Sequence, residues 1–220
     1  MTRWITAALL CIVTLSLGAQ ASAATGDTLS GPKLTASASV DSITEQLCHT
    51  SDAIWQHAEL ALKETKSSKL LADLLEADGF SVQRDISGMP TAFVAEFGSG
   101  APVVAYLAEY DALPTLSQTV SATVTPRIPG APGHGCGHNL FGAGSVGAAI
   151  ALKATMEAHD LPGTVRIFGT PAEEHGIGKV FLVRDGWFDD VDACLSWHPA
   201  NQNEVSLQPS KALRSFEVTF

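Results

Sequence analysis

The sequence predicts an α/β fold: an open, mostly parallel sheet flanked by helices, with the start of a second α+β domain at the C-terminal end. Three observations predict it. Val103–Val–Ala–Tyr–Leu–Ala108 is a continuous apolar run, the pattern of a strand buried on both faces. Strand-like runs alternate with helical stripes along the chain. Asp111, Glu173, Glu174 and His198 all fall just past the carboxyl ends of expected strands, where open α/β sheets bind ligands.

The N-terminus is set apart from this body. Arg3 precedes an apolar run from Trp4 to Leu17, and Gly18–Ala–Gln–Ala–Ser–Ala23 follows it. A charged start, an apolar middle and a small-residue exit predict a secretory signal peptide over residues 1–23, cut after Ala23 or after Ala21, and so a periplasmic or secreted protein. Cys11 has no small residue before it and predicts no lipid attachment. Residues 24–39, rich in Ser, Thr, Ala and Gly, read as a flexible linker.

Asp41 then caps a helix to His57 with Ile43, Leu47 and Ile54 on one stripe, and a second helix runs over 64–78 with Leu70, Leu71, Leu74 and Leu75 as its buried face. Gly79 stands where a left-handed cap belongs. His57 and Glu59, between them, read as surface polar residues. Strands follow at Phe80–Asp85, Ala92–Phe97 and Pro102–Ala108, the last ending in Glu109–Tyr110–Asp111. Residues 115–135 form a loop too long to be idle. Asn139 caps a helix over 140–159, in which Gly142, Gly144 and Gly147 leave one side small enough to press closely on a sheet. A strand at Thr164–Phe168, a helix over 178–185 and a strand at Asp192–Trp197 complete the body. From Ser206 the pattern changes to alternation and reads as the first strand of a second domain, over 208–220.

Hydrophobic residues make up 45% and charged residues 16% of the 220, which suits a globular chain. The net charge is -10, and loss of Arg3 with the leader leaves 12 basic against 23 acidic residues, or -11. Acidity without a basic patch argues against nucleic acid and against anionic membranes. After leader removal no stretch is long and apolar enough to span a bilayer. Cys48, Cys136 and Cys194 remain; if Cys136 binds metal, Cys48 and Cys194 are left as a candidate pair.

The chemistry is concentrated in Gly133–His–Gly–Cys–Gly–His–Asn139 and Gly169–Thr–Pro–Ala–Glu–Glu174. Thiolate and imidazole are ligands that a borderline cation such as zinc prefers. Adjacent carboxylates allow one to bind metal while the other moves a proton. His134, Cys136 and His138 alternate, so a three-ligand loop is one reading of that stretch. His49, His57, His159 and His175 read as surface or structural histidines. Asp192 either supports a strand end or lies on the surface. A redox dithiol lacks its Cys–x–x–Cys, a phosphate loop lacks its glycine pattern, and Gly144–Ser–Val–Gly147 is no nucleophile elbow.

Together with Ala108–Glu–Tyr–Asp–Ala–Leu–Pro114 and His198–Pro199, these motifs resemble the co-catalytic metallopeptidases related to aminoacylase and carboxypeptidase G. Within them the chain looks most like the Cys–Gly–His amidohydrolase branch, which includes the aminobenzoyl-glutamate hydrolases. Asn139, where many members carry Asp, resembles that subgroup and its related dipeptidases. The resemblance implies that residues 40–207 are the N-terminal part of a metallohydrolase catalytic domain and that 208–220 begin an inserted dimerisation domain. It implies one or two divalent ions, Zn or Mn, with Cys136, His138, Glu174 and His198 as ligands. It further implies Glu173 as general base, Asp111 orienting a ligand or lining the site, and His134 outside the ligand set, behind a ligand or on the substrate side. The implied reaction is hydrolysis of an amide in an N-acyl amino acid, an aminobenzoyl-glutamate-like conjugate or a dipeptide. The full-length protein would be a homodimer or hetero-oligomer, and this chain an N-terminal fragment of it lacking one further ligand histidine. The rival expectation is a secreted metal- or peptide-binding protein without catalysis.

Overall fold

The structure, a computed structural model, describes residues 29–202. The leader, the first part of the linker and the expected C-terminal domain lie outside the described residues. Helix α1 spans Pro32–His57, α2 Thr65–Ala77, α3 His138–His159 and α4 Gly178–Arg184. The strands are β1 (Ser81–Arg84), β2 (Phe93–Ser99), β3 (Val103–Ala108), β4 (Gly163–Gly169) and β5 (Ala193–Leu195).

The five strands form one sheet in the order β1-β2-β4-β3-β5. Strands β4, β3 and β5 pair in parallel, whereas β1 with β2 and β2 with β4 pair antiparallel. The sheet is therefore mixed, with its parallel half carrying the site. The cause is the short link from β1 to β2, which allows only an antiparallel return, while β3 reaches β4 through the α3 crossover. Both faces are covered, as the apolar run of β3 requires. On one face α1, α2 and α3 bury Ile54, Leu71, Leu75, Val146 and Ile150 against Phe93, Val165 and Ile167. On the other, Leu182 of α4 packs with Val94, Ala105 and Phe168.

Two helix starts differ from expectation. The α1 helix begins at Pro32, so residues 32–39 are helical rather than linker, and Asp41 lies inside the helix instead of capping it. Proline is at home in a first turn, and the serines and alanines that suggested a tether are equally compatible with a helix that has a neighbour. That neighbour is α3: Thr35 Oγ1 lies 2.8 Å from His159 Nε2. The α3 helix begins at His138, with Gly137 rather than Asn139 in the cap position. Asn139 instead donates from Nδ2 to Ser51 Oγ at 3.0 Å, tying α3 to α1.

The small residues of α3 serve three neighbours. A Cβ on Gly142 would meet the Glu109 carbonyl oxygen at 2.7 Å, one on Gly144 would meet Trp197 Cζ2 at 2.8 Å, and one on Gly147 would meet Leu47 Cδ1 at 2.5 Å. The loop after β3 folds back on itself through Leu113 and Gly133, which exchange both backbone hydrogen bonds at 3.0 Å. Cys48 and Cys194 are both exposed and unpaired, so the candidate disulfide is not formed. Asp192 supports a strand end, accepting from the Val103 N–H at 2.8 Å.

Phe93 lies at the centre of the larger core, fully buried and stacked on Tyr110 with ring centroids 6.2 Å apart. Phe93→Ala is expected to cost about 3–5 kcal/mol, read as a lowered denaturant midpoint with an unchanged slope.

Candidate metal centre

Because β3, β4 and β5 run parallel, their carboxyl ends share one edge. Past β3 come Glu109 and Asp111, past β4 the turn Pro171–Glu174, and past β5 Trp197 and His198. The Cys136–His138 loop arrives from the side as the entry to α3. Gly137 adopts φ 80, a left-handed conformation that turns the chain from loop to helix between Cys136 and His138.

His138 is the centre, with no exposure. Its Nδ1 lies 2.9 Å from Asp111 Oδ1 and 3.1 Å from the Asp111 carbonyl. Asp111 Oδ2 accepts from the Glu174 N–H at 2.9 Å. One buried carboxylate thus fixes the ring of His138 and the backbone of the Glu pair. This leaves His138 Nε2 directed into the site. It lies 3.0 Å from Glu109 Oε2 and 3.8 Å from Glu173 Oε2. His138 Nε2, Glu109 Oε2 and Glu174 Oε1 are all buried without a hydrogen bond, the 3.0 Å approach of the first two being misaligned for one. Three such orphans in one place are unusual unless a further charged group completes them.

Two sets of ligand atoms each lie within 4.8 Å of one another: Cys136, His138 and His198, and Glu109, His138 and Glu173. His138 belongs to both. Cys136 Sγ is 3.3 Å from His198 Nε2, and the His138 and His198 rings meet edge to face at 5.5 Å. Trp197 packs on Phe141 and over Gly144, so the gap left by that glycine seats the residue before His198.

The electrostatics favour a cation. Burial alone would make His138 harder to protonate, but the Asp111 hydrogen bond and the Glu109 carboxylate outweigh it and hold its pKa at about 10. Burial, then Glu174, Glu173 and Glu109, push the Cys136 thiol up to about 11. Burial raises Glu174 above the usual carboxylate range, with His138 opposing. Burial would do the same to Glu109, yet the His138 and Lys179 partners bring it below that range. Soft and hard donors around one imidazole fit a borderline divalent ion such as zinc.

The expected site residues Cys136, His138, Glu173, Glu174, His198 and Asp111 are thus brought to one edge. Glu174 contacts the Cys136 thiol but joins neither set of mutually close ligand atoms. His134 faces away: its Nε2 lies 3.0 Å from the Ile54 carbonyl, and burial lowers its pKa to about 4, so it is a neutral anchor of the loop on α1. His49 and His175 are exposed.

Sequence reasoning gave no role to Glu109, Lys179, Glu59 or Glu64. Glu109 carried a usable signal, since it stands two residues before Asp111 at the end of an extended run and shares its side. Lys179, on α4, pairs with Glu109 across the site. Glu59, expected at the surface, accepts the Lys66 and Ser67 N–H groups at 3.0 and 2.9 Å and so caps α2 from outside it.

A family model for peptidase family M20/M25/M40 matches residues 105–217, just over half of the chain. One of the p-aminobenzoyl-glutamate hydrolase subunits of Escherichia coli (strain K12) is 52% identical over 149 residues, 67% of this chain and 31% of that protein. The Xaa-Arg dipeptidase of Mus musculus is 36% identical over 181 residues, 76% of this chain and 38% of that protein. Among solved structures, a dinuclear metal-binding peptidase of the M20 family from Bacillus subtilis superposes with a TM-score of 0.60 at 28% identity. That match covers 70% of this chain and 42% of the other. The chain thus spans well under half the length of the relatives it matches.

Proposed function

The chain belongs to the M20/M25/M40 peptidase family, and on that premise we propose that it carries the metal-binding half of an amide hydrolase active site. The observation that supports this most is the convergence of buried, unbonded His138 Nε2 and Glu109 Oε2 at 3.0 Å, with Cys136, His198 and Glu173 around them. Cys136, His138, Glu174 and His198 are the proposed ligands, for one or two ions of zinc or manganese. Glu109 stands beside them, held by Lys179.

A bound divalent cation supplies Lewis acidity for water activation and for the developing oxyanion. The chain's own residues do the rest. Asp111 holds the His138 ring through Nδ1, so that Nε2, once a cation displaces its proton, is the nitrogen that would serve as ligand. Glu173, more solvent-accessible than His138 or Asp111, is the proposed base that takes a proton from water and delivers it to the leaving amine, a role its exposure beside His138 supports. Substrates are proposed from the relatives, an aminobenzoyl-glutamate-like conjugate or a dipeptide, and from the motif resemblance, an N-acyl amino acid. The activity is proposed for the chain together with the remainder of such a catalytic domain, as a dimer or hetero-oligomer. Export by the N-terminal leader is proposed as well, and N-terminal sequencing of the mature protein should begin at Ala24 or Ser22.

Metal binding tests the reading first. Zinc affinity, measured by competition with a chromophoric chelator, should fall in Cys136→Ser more than manganese affinity does, because a hydroxyl suits the harder ion. An unchanged zinc affinity removes Cys136 from the ligand set.

The sign of the pH effect follows from Cys136 and His138. With pKa values of about 11 and about 10, both hold protons at neutral pH that a cation must displace. Affinity should therefore rise with pH, with protons released on binding. Calorimetry in buffers of different ionisation enthalpy reads that release directly.

A further inference from the structure

Glu64 has no exposure, yet it carries a carboxylate. It occupies the cap position of α2 without capping that helix, because Glu59 already accepts the Lys66 and Ser67 N–H groups. The Glu64 carboxylate is therefore free to act at a distance. Oε1 accepts from the Ala172 N–H at 2.9 Å, 108 residues away in sequence, and Oε2 accepts from Thr91 Oγ1 at 2.9 Å. The Thr91 carbonyl in turn accepts the Tyr110 hydroxyl. A buried line from Tyr110 through Thr91 and Glu64 to Ala172 thus joins the end of β3 to the turn after β4.

Ala172 is where that turn is strained. It is left-handed, with φ 58 and ψ 39, a conformation that disfavours a side chain. Its carbonyl accepts from the His175 and Ile177 N–H groups at 3.3 and 3.4 Å, so its orientation sets the turn carrying Glu173 and Glu174. Asp111 fixes the same turn from the other side, at the Glu174 N–H.

We propose that Glu64 is a positioning residue: by holding the Ala172 N–H it keeps the turn left-handed and aims the Glu173 and Glu174 carboxylates at His138. The proposal rests on the reading of Glu173 and Glu174 given above for its catalytic consequence alone. Glutamine at position 64 retains an acceptor for Ala172 and a polar partner for Thr91, whereas leucine fills the same volume with neither.

The test compares Glu64→Leu with Glu64→Gln by hydrogen exchange and by zinc affinity. In the metal-free protein, Glu64→Leu should speed exchange over residues 172–176 by about tenfold, the scale of one lost hydrogen bond, while α3 keeps its protection. Zinc affinity should fall about 10- to 100-fold, as for other partners that orient ligands. Glu64→Gln should restore both. Should Glu64→Leu fail to fold, Glu64→Asp, one methylene short of Ala172, makes the same comparison. Wild-type exchange over 172–176 in a folded Glu64→Leu or Glu64→Asp protein overturns the proposal. Faster local exchange in a protein whose wild type binds no metal keeps the role of Glu64 in the turn and overturns the metal reading instead.

Discussion

On the activity proposed for the chain with the remainder of such a catalytic domain, replacing Glu173 with glutamine should lower amide turnover by about 10²- to 10⁴-fold, the usual contribution of a positioned general base, while leaving metal content unchanged. The geometry gives the reason. Glu173 Oε2 stands 3.8 Å from His138 Nε2, and its side chain keeps 40% exposure, so it borders the candidate metal centre and is open to solvent. Glu174 is differently held. Its backbone is bonded to Asp111, its Oε1 is buried without a hydrogen bond, and its carboxylate contacts the Cys136 thiol. Glu174→Gln should therefore lose metal along with turnover. Equal metal loss in the two variants would sink this division of labour.

His138→Ala should have the larger effect on the site itself. It removes the residue that both candidate ligand sets share, whereas Cys136→Ser touches only one of them. Metal affinity should drop by more than the roughly 10- to 100-fold expected for Asp111→Asn, which disturbs the ligand only through its hydrogen bond. The metal-free fold should suffer too. The Asp111 and His138 side chains are both fully buried and 2.9 Å apart. Taking away the imidazole leaves an uncompensated carboxylate, at a cost of about 3–5 kcal/mol. Inductively coupled plasma analysis after dialysis reads the first effect, and chemical denaturation with chelator present reads the second. Wild-type zinc content in His138→Ala would remove His138 from the centre.

How far the sequence reveals this site depends on how local each signal is. The parallel strands were legible because their apolar runs must be buried on both faces, and the ends of such strands point to a site. Thus the sequence alone puts Asp111, Glu173, Glu174 and His198 at one edge of the sheet, where the structure also has them. The antiparallel side of the sheet was less legible: the runs at 80–85 and 92–97 show where strands lie, but the direction of pairing depends on the short link between them. The start of α1 was missed because Ser- and Ala-rich stretches form tether or helix according to what packs on them, here α3. Asn139 resembled a cap by type, but Gly137 supplies the conformation the turn needs and the Asn139 side chain has a partner in Ser51. Glu64 and Lys179 left no trace in the sequence. Their partners, Ala172 and Glu109, are brought to them only by the tertiary fold.

Amide hydrolysis under metal control tests the account most directly. The chain, joined to the remainder of such a catalytic domain, is loaded with zinc or manganese and offered aminobenzoyl-glutamate, acyl-amino acids and simple dipeptides, each with and without a chelator. The predicted result is release of an amino acid that stops with the chelator, returns on adding back the ion, and is lost in Glu173→Gln. Stoichiometric metal binding with no release from any of the three classes would contradict catalysis and leave a metal- or peptide-binding protein.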